Sequence, residues 1–275
     1  MPKVRYGART EEQLRNREVE ATSVDVWATT LVATYFTDPE VVAAVLPPPI
    51  EPGDEPLVKI TVATVDIPGY PTFGAGSFSV RARHEGTDGY YALLMPMTTE
   101  QSVIGGRETF GEPKKLGAVT LDRHGDRVVG WVARMGTTII EVSGRVVEAL
   151  DPPADETRTD FYFKFLPAPD GKGFDSDPAL VYCHRTEKTR TFERVDGDVV
   201  LRDSRFDPVA DLPVRQLRDI VLATRSSVQR GEIHGTVPGE WLRPYVHQRY
   251  DDLSPVGGDD LSPVGGDDLS PVGGE

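Results

Sequence analysis

The amino-acid sequence predicts a mainly β chain of the α+β class, and three observations carry that prediction. Apolar residues recur with a period of two in several short segments. Gly and Pro punctuate the stretches between them. Segments with helical spacing are few. Many short strands separated in this way favour a barrel or a sandwich.

The period of two is clearest at Phe161, Phe163 and Phe165, which alternate with Asp160, Tyr162 and Lys164. That is the pattern of a half-buried strand with its phenylalanines on one face. Val58, Ile60 and Val62 repeat it, as do Phe78, Val80 and Ala82 against Ser79, Arg81 and Arg83; residues 137–147 are rich in Thr, Ile and Val. Asp196-Gly197, between Val195 and Val199, reads as a tight hairpin turn. Three helices are expected. Thr10-Glu11-Glu12-Gln13 matches a capping box. Asp38-Pro39 offers an N-cap and an N1 proline before Val41, Val42 and Val45. After Pro213, the spacing of Val214, Leu217 and Val221 suits an amphipathic helix. Residues 151–157 form a loop, and no linker divides 1–250, which read as one domain.

Beyond it, DDLSPVGG occurs three times in tandem, at 251–258, 259–266 and 267–274, before Glu275. One Leu and one Val per copy cannot bury enough surface to order the chain, so 251–275 read as a disordered acidic tail. A docking peptide shown in three copies is the sharper alternative.

The formal net charge is −14, and the tail's six Asp and one Glu supply half of it. An acidic body without a basic stripe excludes a nucleic-acid partner, which needs clustered Lys and Arg. No apolar run approaches the ~20 residues that span a bilayer, and no apolar leader follows Met1, so a soluble, cytoplasmic protein is expected. The single Cys183 permits no internal disulfide and suits a reducing compartment. It is expected to be half-buried, with the adjacent His184 on the opposite face of a strand. His84, His124, His184, His234 and His247 are dispersed, none at metal-ligand spacing, so no metal is expected. Gly74-Ala75-Gly76 lacks a third glycine and reads as a turn rather than a dinucleotide fingerprint.

One segment carries chemistry: GGRETFGEPKKLG at 105–117. Paired lysines are ordinarily solvated. An amine becomes a nucleophile toward a carbonyl when burial or a neighbouring cation disfavours its ammonium form, and Lys114-Lys115 after the rigid Pro113 offer both routes.

Gly106-Arg107-Glu108 followed by Pro113-Lys114-Lys115-Leu116-Gly117 resembles the signature of the acetoacetate decarboxylase family. Glu55-Pro56-Leu57-Val58 upstream, after Thr37-Asp38 and Pro47-Pro48, is similar to that family as well. So are Phe163-Lys164-Phe165-Leu166-Pro167 and Asp207-Pro208-Val209-Ala210-Asp211-Leu212-Pro213-Val214 downstream, so the resemblance covers nearly all of 20–230. It implies a cone-shaped β-barrel with a few peripheral helices, assembled as a homo-oligomer, with a reactive lysine inside. Lys114 would form a Schiff base with a keto substrate, the resulting iminium would accept electrons as carbon dioxide leaves, and no cofactor is required. The family is a standard example of an amine activated by desolvation or a neighbouring cation. Lys115 would be that neighbour, with Arg107 and Glu108 in support. If 114–121 is extended, however, the two lysines point to opposite sides, and desolvation of Lys114 must dominate.

The sequence also departs from the family. Trp27-Ala28 stand where it has a carboxylate-binding arginine, while Thr61 and Phe73-Gly74-Ala75 stand where it has glutamates. Glu112 replaces an aromatic residue before the proline. The expected pocket, with Trp27, Phe73 and Ala75, is more apolar and lacks an anion clamp; Glu108, Tyr90 or water must then supply protons. The leading expectation is a Schiff-base lyase of the acetoacetate decarboxylase type acting on a β-keto acid or related ketone. An aldolase or dehydratase using the same iminium, and a carbonyl-binding barrel without turnover, are the alternatives.

Overall fold

The computed structural model describes residues 6–15 and 26–251. Twelve strands make one mixed sheet: β1 (Trp27–Phe36), β2 (Glu51–Pro52), β3 (Leu57–Asp66), β4 (Phe73–His84), β5 (Thr87–Met97), β6 (Lys114–Leu116), β7 (Ala118–His124), β8 (Arg127–Arg134), β9 (Thr137–Leu150), β10 (Glu156–Lys164), β11 (Ala179–Leu201) and β12 (Gln216–Thr236). The order is β10-β5-β4-β3-β1-β12-β11-β9-β8-β7. Because β10 also pairs with β11, the strands from β10 round to β11 close into a ring, and β9, β8 and β7 continue the sheet beyond it. The two longest strands make this possible. β11 pairs β10 through its first half and β9 through its second, while β12 lies along its other edge. The mainly β barrel with few helices is thus as the sequence predicts.

The two faces of the ring differ sharply. Val58, Ile60 and Val62 on β3, Phe78 and Val80 on β4, and Phe161 and Phe163 on β10 turn outward into the main apolar core, which includes Val128, Val132 and Ile140 of the β8–β9 layer. Alternate residues turn inward to a cavity. Asp160 and Tyr162 are therefore buried, so β10 is not the half-exposed strand its periodicity suggests. A period of two separates two faces but does not say whether the polar one meets solvent or an enclosed space.

Local signals fare unevenly. Thr10 and Gln13 make the reciprocal capping-box bonds at 3.0 and 3.2 Å, ahead of helical residues 11–15. Asp38 stands at the N-cap of the helix Pro39–Val45, though its carboxylate binds Arg215 instead of the cap amides. The helix expected from Val214, Leu217 and Val221 is absent. That segment enters β12, where Leu217 and Val221 pair with β1 across a bulge that changes the register. Asp196-Gly197 is no turn either: Gly197 faces Gly144 mid-strand, and a Cβ there would sit 2.0 Å from the Ser143 carbonyl oxygen. The glycine serves close approach, not reversal. Gly74 likewise lies within β4, against the Val119 carbonyl. The loop after Asp151 ends at Glu156, and Cys183 is fully buried, not half-buried.

Two further corrections concern neighbours distant in sequence. His84 and His234 come together with Glu85, one potential ligand atom of each lying within 4.8 Å of the others, although no spacing in the sequence pairs them. Asp251, the first residue of the repeats, is bound by Arg134 and Lys115 at 2.7 and 3.0 Å. The body therefore extends one residue into the first repeat; the remaining tail, 252–275, lies outside the described residues. Among the described residues, no helix is long and apolar enough to cross a membrane.

The outward packing of β10 can be tested directly. Phe163→Ala should cost ~3–5 kcal/mol through the cavity it leaves, whereas Lys164→Ala, at an exposed position, should stay within about 0.5 kcal/mol. Equal losses in urea denaturation would contradict the assignment of faces.

Candidate functional site

A helix, Glu100–Phe110, leads directly into the chemistry. Gly105-Gly106 at its centre weaken its helical signal, since each costs about 1 kcal/mol against alanine. Gly106 is required there: a Cβ would lie 2.1 Å from Glu112 Oε2 and 2.6 Å from Lys114 Nζ. The helix stops at Gly111, whose N–H reaches the Arg107 carbonyl and whose φ of 80° turns the chain so that the Glu112 N–H reaches the Gly106 carbonyl. The chain then turns through Glu112-Pro113 and pairs β6 with β5 in parallel, Lys114 opposite Met95.

Lys114 enters the wall of a cavity of about 610 Å³ inside the ring. Its Nζ lies 2.8 Å from Glu112 Oε2, and Glu112 is fully buried. The other oxygen of Glu112 accepts from Arg185 Nη2 at 2.6 Å and from Gln229 Nε2 at 3.1 Å. Arg185 in turn binds Asp160 through Nε and the Tyr162 hydroxyl at 3.0 Å. Arg158 links Asp160 to Glu187, which stands 3.6 Å from Arg225. Cation and carboxylate thus alternate around the cavity from Lys114 to Arg225.

Burial alone would raise the Glu112 carboxyl. The charges of Lys114 and Arg185, with hydrogen bonds from Lys114 and Gln229, outweigh it and hold the group below the usual carboxylate range. Asp160 follows the same logic: burial raises it, and Arg158, Arg185 and Lys59 bring it down. Lys59, also in the cavity wall, goes the other way. Desolvation, reinforced by the Arg158 charge, lowers its amine to about 7, and its Nζ rests 3.7 Å above the Tyr90 ring.

The residues anticipated from sequence divide into two groups. Lys114, Phe73 and Ala75 line the cavity. Lys115 points the opposite way, as strand geometry requires, into a buried cluster with Asp207 at 3.2 Å and Asp251 at 3.0 Å, where Arg134 also binds both carboxylates. Arg107 donates to the Lys114 and Arg249 carbonyls and so supports the backbone. Glu108 is exposed and outside the cavity lining. Trp27 is not in the lining either; its ring lies 3.3 Å beneath the Arg190 guanidinium. The lining is mixed: beside Phe73, Ala75 and other apolar residues stand Arg158, Arg185 and Arg225, which come from β10, β11 and β12, far in the chain from Trp27-Ala28. The available signal was faint: charges at alternate positions, 158/160 and 185/187, within strand-like segments.

A family profile described as "Acetoacetate decarboxylase (ADC)" matches residues 9–235. An acetoacetate decarboxylase of Chromobacterium violaceum is 30% identical over 223 residues, covering 78% of this chain and 87% of that protein. The crystal structure of acetoacetate decarboxylase from Legionella pneumophila superposes with a TM-score of 0.69 at 21% identity, covering 78% of this chain and 87% of the other. The enduracididine biosynthesis enzyme MppR, complexed with the condensation product of pyruvate and imidazole 4-carboxaldehyde, gives 0.65 at 18% identity, covering 76% and 88%. At these identities the solved structures show a shared fold.

Two measurements probe this arrangement. Lys115→Met should cost ~3–5 kcal/mol, because it leaves the buried Asp207 short of a partner, yet keep most carbonyl trapping at Lys114; loss of trapping in folded protein would restore Lys115 as the activating cation. Lys59 should make stability depend on pH. Below about 7 both folded and unfolded states hold its proton, and the fold bears the full cost of a buried ammonium. From about 7 upward the unfolded chain alone binds the proton, so stability rises until the unfolded value near ~10.4 is passed. Lys59→Met should therefore stabilise the protein by ~2 kcal/mol or more at pH 6, with the gain shrinking by pH 9 in urea denaturation.

Proposed function

This chain belongs to the acetoacetate decarboxylase family, and from that premise we propose that it is an imine-forming lyase in which Lys114 attacks the carbonyl of an anionic keto substrate. The observation that carries this reading is a lysine amine in the wall of the cavity inside the ring, held 2.8 Å from a fully buried carboxylate. In the free amine form, Nζ adds to the ketone carbon, and the carbinolamine loses water to give an iminium. The iminium keeps the positive charge of the ammonium it replaces, so ionised Glu112 stabilises it and fixes its direction.

Decarboxylation then breaks the bond between the α-carbon and the carboxylate. Its electron pair moves toward the iminium nitrogen, carbon dioxide departs, and a neutral enamine remains. Protonation of the α-carbon regenerates the iminium, and water releases the shortened ketone and the amine. Glu108 lies outside the cavity, so this proton needs another source. Lys59 faces the cavity and titrates near 7, so it can give a proton and recover it at neutral pH.

A second reading keeps the iminium but uses the enamine for carbon–carbon bond formation or water loss. It is favoured by the absence of acids at Thr61 and Ala75, and by MppR, which shares this fold and is complexed with a condensation product of pyruvate and imidazole 4-carboxaldehyde. A barrel that captures a carbonyl compound without turnover is the non-enzymatic reading.

Incubation with a β-keto acid followed by borohydride should add the ligand mass to the peptide containing Lys114, with carbon dioxide released in the unreduced reaction. Lys114→Arg should abolish the adduct, since guanidinium keeps the charge but forms no imine. Glu112→Gln should slow turnover by ~10²-fold or more. An adduct without carbon dioxide, together with condensation or dehydration, selects the second reading; an adduct without turnover selects the binding barrel. No adduct at Lys114 in folded protein, with any carbonyl compound, rules out both enzymatic readings.

A further inference from the structure

β12 presents Arg225, Ser227 and Gln229 at alternate positions on the cavity face. Gln229 is occupied, donating to Glu112 beside Lys114. The other two are not. Arg225 Nε and Ser227 Oγ are both buried and lack a hydrogen-bond partner among the described residues. Glu187, the carboxylate 3.6 Å from Arg225 Nη1, is already held by Arg158. A buried donor left unmatched costs ~1–3 kcal/mol, so two side by side on one strand face mark a place where something else completes them.

The charges around the cavity agree. Lys114, Arg158, Arg185 and Arg225 face the carboxylates Glu112, Asp160 and Glu187, leaving one cation in excess before Lys59 is considered. An anion entering the cavity neutralises that excess, and it also favours the protonated form of Lys59.

We infer that Arg225 and Ser227 form a carboxylate subsite for a part of the substrate remote from the carbonyl that reacts with Lys114. This rests on the imine chemistry proposed for Lys114. Distance sets the substrate class. At ~3.4 Å per residue along a strand, Ser227 lies ~7 Å and Arg225 ~14 Å from Gln229, which marks the Lys114–Glu112 corner. The arginine side chain can lean back along the strand, so a carboxylate shared by the two sits roughly 7–10 Å from the imine. An extended chain advances ~1.2 Å per bond, which places the carboxylate about six to eight bonds from the ketone carbon. Acetoacetate is too short to reach. The substrate is a longer keto acid; for decarboxylation it carries a second carboxylate β to the ketone, which leaves as carbon dioxide while the distal one stays anchored. The cavity, at about 610 Å³, has room for such a molecule.

The test is borohydride trapping at Lys114 with methyl-ketone acids of increasing chain length, each compared with its methyl ester. Trapping should peak where the carboxylate is about six to eight bonds from the carbonyl, with the acid favoured over its ester by about tenfold, the worth of one charged hydrogen bond. Arg225→Gln should reduce that ratio to near one and flatten the length profile. Ser227→Ala should reduce it part of the way, and Arg225→Lys should retain more of it than Arg225→Gln. A preference for the shortest acid, or a length profile unchanged in Arg225→Gln, overturns the subsite. A second measurement separates the subsite from the imine. Saturated dicarboxylates of the matching length, which cannot form an imine, should raise the melting temperature of wild type but not of Arg225→Gln. If no ketone is trapped but this shift is seen, the imine chemistry fails and the anion subsite stands. If the dicarboxylates give no shift in wild type, the subsite fails.

Discussion

The buried carboxylate of Glu112 is the constraint on which the rest of the site depends. A carboxylate removed from water is tolerated only when charges and hydrogen bonds surround it. Here they come from Lys114 on β6, Arg185 on β11 and Gln229 on β12, three strands well separated in the chain. One oxygen faces the Lys114 amine, and the other is held by side chains of β11 and β12. The Glu112-Pro113 turn is thus tied across the ring, and its position leaves no space for a side chain at residue 106. The glycines that weaken the preceding helix and the glutamate that breaks the family pattern belong to one arrangement.

The ring supplies the second condition, because its strands divide stability from chemistry by face. On β3, Val58, Ile60 and Val62 pack outward while Lys59 and Thr61 look inward; on β10, Phe161 and Phe163 pack outward while Arg158, Asp160 and Tyr162 look inward. Lys59, between Val58 and Ile60, and Asp160, beside Phe161, are flanked along their strands by core residues that fix the backbone. Packing of this kind holds inward charges in place, the preorganised setting in which a fixed dipole or charge acts most strongly on a reacting group. Although the chain as a whole is strongly acidic, this enclosed surface carries an excess of cations, so net charge is a poor guide to the ligand it accepts.

Much of the fold was legible because it depends on local alternation, as in β3, β4 and β10. Lys114 was legible because its surrounding motif is contiguous. What could not be read depends on pairing across long separations. Asp196-Gly197 has the composition of a hairpin turn, yet the close approach of Gly144 is what requires its glycine. Val214, Leu217 and Val221 carry helical spacing, but the pairing of β12 along β1 and β11 decides their state. The cavity arginines were hidden for the same reason. None stands at Trp27-Ala28, while the folded ring brings three from the C-terminal half of the chain. His84 and His234 meet only because the end of β4 and the end of β12 converge.

These relations suggest how chemistry and specificity separate in this chain. The imine chemistry proposed for Lys114 needs a backbone that presents the amine to the cavity and a counter-charge for the iminium, and β6 with Glu112 offers both at one corner. Recognition of the remainder of a substrate has no such fixed address, since any inward position on the ring can carry it. The loss of an arginine near Trp27 and of acids at Thr61 and Ala75 therefore does not abolish a site. It leaves Lys59 as the charged residue that β3 gives to the cavity, while β10, β11 and β12 supply Arg158, Asp160, Arg185, Glu187 and Arg225. A ligand bound covalently at Lys114, as proposed, would extend toward those strands, along β12, where Arg225 and Ser227 have buried polar atoms without hydrogen-bond partners among the described residues. On the chemistry proposed for Lys114, the direction in which a substrate extends from that lysine, along β12, decides which ligand this cavity accepts.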